Sequence, residues 1–142
     1  MTLGICSQCA PVATALRQSY MANMISSKDL EEFREAIEMW RDYFGISCFD
    51  IYVEAGELED GTIADVSRCV DTRSAVVRLH SLPAGEDRSE VIDSTARHEM
   101  IHVLVADLSA LAHDRSATAE MIEREEERLV VKLCRLFEGS TQ

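Results

Sequence analysis

Basic residues are scarce in this 142-residue chain: 14 Lys+Arg stand against 26 Asp+Glu, for a net charge of −12. Nucleic-acid binders neutralise phosphates with a basic face, and no Lys/Arg cluster is visible to form one. A nucleic-acid partner is therefore not expected. Long apolar runs are missing too. No stretch approaches the roughly 18 apolar residues of a membrane span, so no membrane partner is expected. The segment from Met1 to Leu16 lacks a positive n-region and is interrupted by Ser7, Gln8 and Pro11, which argues against a secretory signal. Cys6-Ser7-Gln8-Cys9 has the spacing of half a structural zinc site, but a second Cys pair to complete it is absent. The cysteines number five, and Cys48, Cys69 and Cys134 fall in segments that read as core. Buried or free thiols in a reducing compartment, and hence a cytoplasmic location, are expected.

What is present suits a globular protein: 46% of residues are hydrophobic and 28% charged. The length fits one domain over 1–142 that buries roughly 68% of its unfolded surface. Residues 1–26 show no clear period and read as a leader or a loosely docked helix. Ser27 can cap a helix over about 28–44, where Leu30, Phe33, Ile37 and Trp40 recur at 3–4 spacing and Gly45 stands at the stop. The period then changes to two: Phe49, Ile51 and Val53 alternate with polar residues, as in a strand. After a Gly-rich turn at 56–61, 62–70 and 74–79 read as two further strands. Asp87 and Glu90 form a capping box for a second helix over about 89–112. A turn at 113–116 precedes a third helix over about 117–137. The order α-β-β-β-α-α indicates an α+β domain, a three- to four-stranded sheet packed against helices.

The chemistry lies within the second helix, at His98-Glu99-Met100-Ile101-His102, an HExxH motif. Residues four apart on a helix lie about 5–6 Å apart at Cβ, so two imidazoles can converge on one ion at the roughly 2.0–2.1 Å that zinc prefers. Glu99 is turned by about 100° from His98, within reach of a metal-bound water without ligating the metal. Zinc lowers the pKa of such a water toward about 7, and a neighbouring carboxylate can take its proton as it attacks a carbonyl. With 4 His and 16 Glu in the chain, chance would place HExxH in roughly 1 of 100 shuffled sequences, so context matters. Val91, Ile92, Ala96, Val103, Leu104 and Ala106 surround the motif, which predicts a largely buried histidine face. A buried neutral His needs partners for its ring nitrogens, and a metal would supply one to both residues.

The block from Arg97 to Leu104, followed about twenty residues on by Glu125-Glu126-Glu127-Arg128-Leu129-Val130-Val131, resembles the small HExxH zinc metallopeptidases of the gluzincin type. In particular it is similar to the minimal metallopeptidases found in phage and prophage sequences. The resemblance covers about residues 46–137. It implies a zincin-like core: a short sheet whose edge strand binds extended peptide, an HExxH helix, and a following helix that supplies a Glu ligand. It also implies a zinc cofactor, a peptide or protein substrate, His98, His102 and Glu126 as zinc ligands, and Glu99 as general base. The metzincin extension would need Gly and His where Val105 and Leu108 stand. His113 as a third ligand would lie about 16 Å from His102 along an uninterrupted helix.

On the wheel of the last helix, Ile122, Leu129, Leu133 and Leu136 form the apolar face. With Ile122 at zero, Glu126 falls at about 40°, against about −60°, 100° and 140° for Glu125, Glu123 and Glu127. A core-facing carboxylate needs a partner, which favours Glu126, with Glu127 or Glu125 next if the register shifts by one. Residues that thermolysin-like enzymes place around the ligand Glu are replaced here by Glu125 and Val130. His80 and Tyr52 are the upstream candidates for stabilising an oxyanion. The segment from Arg73 to His80 is expected either as the edge strand along the cleft or as an internal strand of the sheet. The competing function is a zinc-stabilised, non-catalytic interaction module with a protease-like fold.

Overall fold

Ser26, not Ser27, opens the first helix. Its hydroxyl accepts from the Asp29 amide, and the Asp29 carboxylate accepts from the Ser26 amide, a reciprocal capping box. The computed structural model describes residues 24–57 and 61–139. The leader expectation and the Cys6/Cys9 pair fall almost wholly outside them. The described elements are α1 (Ser27–Tyr43), β1 (Asp50–Ala55), β2 (Ala64–Cys69), β3 (Ser74–Leu79), α2 (Arg88–Leu104), α3 (Ala106–His113) and α4 (Ala119–Gly139). The architecture is α+β, with four helices and a three-stranded mixed sheet among the described residues. No helix among them is long and apolar enough to cross a membrane.

The strand order is β1-β3-β2, with β1 parallel and β2 antiparallel to β3. The 73–80 segment is therefore the central strand: the internal placement holds, and the edge placement is corrected. Its burial accords with this. Ala75, Val77 and Leu79 are all buried, whereas Asp65, Ser67 and Arg68 on β2 suit a strand with one side unpaired. On the opposite face Arg78 bridges the strands, donating to Glu54 at 2.8 Å and reaching Asp65 at 3.5 Å.

The core lies between the sheet and the α1/α2 pair. Phe33 and Ile37 of α1 meet Val77, Leu79 and Leu82 from below and Ile92, Ala96, Met100 and Val103 of α2 alongside. Two polar links hold the helices in register. Trp40 Nε1 donates to Asp93 at 2.9 Å. Arg88 donates to both oxygens of Asp29, at 3.1 and 2.7 Å. The Arg88 guanidinium, with Ser26, holds the Asp29 carboxyl well below the usual carboxylate range.

A carboxylate whose pKa is depressed on folding contributes stability above its unfolded pKa of about 3.9 and loses it as pH falls toward the folded value. Asp29→Asn is expected to cost about 1–2 kcal/mol at pH 7, because the partner Arg88 is partly exposed. The same variant should cost progressively less as pH drops below about 4. Urea unfolding at both pH values checks it; an equal loss at pH 7 and pH 2.5 would contradict the pairing.

Two further expectations change. The second helix is not continuous to residue 112: it stops at Leu104, Val105 takes φ −93° and ψ 8°, and α3 starts at Ala106. Cys48, Cys69 and Cys134 are free thiols as expected, yet all three are exposed rather than in the core.

Candidate metal and catalytic site

α2 begins where Asp87 accepts from the amides of Ser89 and Glu90. Its buried face runs through Val91, Ile92, Ala96, Glu99, Met100 and Val103. That register turns His98 and His102 to the flank, where both are exposed. The histidine face expected to be buried is thus open to solvent, and it is Glu99 that points inward.

The two imidazoles meet. His98 Nε2 and His102 Nε2 are 3.2 Å apart, with the rings edge to face at 78°. Two nitrogens bound at about 2.0–2.1 Å to one tetrahedral zinc stand about 3.3 Å apart, so the pair has the spacing of two ligands on a single ion. Burial, then His98 and Arg68, push the His102 imidazolium toward its neutral, ligand-competent form.

Glu99 is only 5% exposed, and it and Asp29 are the buried carboxylates among the described residues. Asp29 is satisfied by Arg88 and Ser26. Glu99 has no hydrogen bond or ion pair among the described residues, an arrangement that burial normally penalises. Burial pushes its carboxyl up from the ordinary value; nearby His98 and Arg68 oppose this and Asp65 adds to it. Glu99 and His98 share a cleft of about 450 Å³, walled by Ser94 and Thr95 of α2 and by residues 61–64 leading into β2. A larger groove of about 540 Å³ follows α4 and contains none of the HExxH side chains. The smaller cleft, which holds His98 and Glu99, is the candidate site.

The other expected residues lie elsewhere. Glu126 is exposed on α4, and among the described residues no group of three His, Cys, Asp or Glu side chains could hold a metal ion. The apolar residues of α4 alone centre its face on Ile122. The half-buried positions Met121, Ile122, Glu125, Leu129, Lys132, Leu133 and Leu136 centre it instead about 40° away, toward Glu125. Glu125 is the inward carboxylate and pairs with Arg128 at 2.8 Å.

His113 closes α3 and donates from Nδ1 to the Ser109 carbonyl at 2.7 Å. His80 is held by the Glu57 carbonyl and the Asp65 carboxylate; a Cβ at Gly56 would run into its ring, so that position requires glycine. Tyr52 is 60% exposed on β1, the edge away from β2. Neither oxyanion candidate lines the cleft. The residue that sequence reasoning passed over is Arg68. Its Nη1 donates to the His102 carbonyl at 2.9 Å and its Nη2 to Ser109 Oγ at 3.3 Å. A lone Arg in a predicted strand carries no local signal of such a reach.

Comparison with known protein families, with curated proteins and with solved structures finds no match to this chain.

Proposed function

We propose that this chain is a zinc-dependent peptidase of the HExxH type, related to the gluzincin-type metallopeptidases that its sequence resembles. The observation that carries the reading is a buried carboxylate, Glu99, without a bonded partner among the described residues, next to two histidines whose Nε2 atoms stand 3.2 Å apart. Those residue types fit zinc, and a bound zinc would acidify water and polarise a carbonyl. His98 and His102 would hold the ion. Glu126 enters as third ligand only through the resemblance. Glu99 would accept the proton from the attacking water and pass it to the leaving amine, and burial raises the affinity of its carboxylate for that proton. The cleft beside β2 would take the peptide, with the zincin-like core as the fold reading that accompanies this activity. The free, exposed thiols at 48, 69 and 134 support a reducing, cytoplasmic setting.

One observation favours the non-catalytic module instead: neither His80 nor Tyr52 lines the cleft, leaving the oxyanion without either candidate donor. Incubating the zinc-loaded protein with a mixture of unstructured peptides in H₂¹⁸O separates the two. New termini carrying ¹⁸O, abolished by a chelator and restored by zinc, are expected. Intact peptides over a full range of sequences, with zinc bound, would favour the module.

A further inference from the structure

The break between α2 and α3 falls three residues after His102, and what spans it is a side chain from the sheet. The last four carbonyls of an α-helix have no partner within the helix. His102 contributes one of them, since α2 stops at Leu104. Arg68 pairs with Ala75 in the β2–β3 register, and Ala75 is buried on the helix-facing side, so Arg68 projects toward α2. Its guanidinium donates to the His102 carbonyl with one nitrogen and to Ser109 Oγ on α3 with another, at 2.9 and 3.3 Å. A positive charge at a helix C-terminus also complements the helix dipole. The planar fork is what allows one side chain to hold two acceptors on two helices; an ammonium on a flexible stem cannot match that geometry.

We infer that Arg68 is a positioning residue: it clamps the His102 turn against β2, so that the His102 ring is held at the spacing it needs to share an ion with His98. The assignment rests on the metal-site reading above for its functional consequence, but the clamp itself is a property of the chain without metal. Arg73 anchors the first turn of α3 through Asp107, at 2.7 and 2.8 Å, and among the described residues Arg68 is the side chain bonded to the His102 carbonyl itself. α3 has no side-chain cap at its start, and Val105 supplies only backbone bonds, to Ile101 and Val103 on one side and Ser109 on the other. Loss of an outer group that orients a ligating histidine costs about 10–100-fold in metal affinity.

The test compares Arg68→Met, which keeps the stem and removes the donors, with Arg68→Lys, using two readouts on the full chain. The first is the ring Cε1–H resonance of His102 in metal-free protein, with His80 as internal reference. The second is zinc affinity by chelator competition. Arg68→Met is expected to shift or broaden the His102 signal while His80 stays in place, and to weaken zinc binding by about 10–100-fold. Arg68→Lys should restore only part of both. An unchanged His102 signal with unchanged zinc affinity would overturn the clamp while leaving the metal site intact. A responding His102 signal in a protein whose parent takes up no zinc would uphold the clamp and overturn the metal reading. A fall in melting temperature alone, with both readouts unmoved, would reduce Arg68 to a structural contact and overturn the proposal.

Discussion

Glu99→Gln is expected to bind zinc as tightly as the parent and to hydrolyse peptide about 10²–10⁴-fold more slowly, the range contributed by a positioned general base. The side chain is nearly isosteric, so the cleft and the core around Ala96, Met100 and Val103 should be undisturbed. Stability should hold or rise. A buried carboxylate without a bonded partner is costly to keep charged, and the neutral amide relieves that cost; an increase of about 0.5–2 kcal/mol is expected in metal-free protein. The combination of higher stability, equal zinc affinity and lost turnover identifies a group retained for chemistry rather than for folding. Peptide turnover, chelator competition and urea unfolding on the same preparation read all three. Equal turnover in variant and parent would remove Glu99 from the mechanism.

His98→Ala should have the opposite profile, keeping the fold and losing the metal. His98 is exposed and makes its recorded contact with His102, so the metal-free variant should unfold within about 0.5 kcal/mol of the parent. With zinc present the two should part. Ligand binding to the folded state adds RT ln(1 + [L]/Kd), about 4 kcal/mol at free zinc a thousandfold above Kd. For a chain this long that corresponds to on the order of 10 °C in melting temperature. The parent should gain that increment on zinc addition and His98→Ala should not. Glu126→Ala and Glu125→Ala belong in the same titration. Loss of the increment in the 126 variant alone would assign the third ligand to Glu126, and its retention in both would take α4 out of the ligand set.

The elements were readable where local chemistry decides them. The capped start of α2, the alternation at 50–55 and the strand at 74–79 each follow from residues within one or two turns. Which strand lies at the edge depends on pairing across the sheet, and the run from Ser74 to Leu79 carries no mark of having partners on both sides. The break at Val105 was also hidden. Neither Gly nor Pro marks it, and the contacts beside it, Arg68 to the His102 carbonyl and Arg73 to Asp107, each join residues 34 positions apart. In the site, the i, i+4 spacing foretold that His98 and His102 would meet, because helix geometry alone enforces it. Which of the motif's residues would be buried was read in reverse. That depends on how α2 is rolled onto α1 and the sheet, and the links that fix the roll, Trp40 to Asp93 and Arg88 to Asp29, join residues more than 50 positions apart. The wheel of α4 failed for a related reason. Its docked side includes the stems of Glu125 and Lys132, and a purely apolar stripe does not count them.

The central claim is that His98 and His102 form a zinc site, and the zinc content of chelator-free purified protein measures it most directly. About one zinc per chain is expected in the parent, retained in Glu99→Gln and reduced to background in His98→Ala. A parent that remains metal-free after incubation with equimolar zinc, or a His98→Ala variant that retains the parent's content, would contradict it.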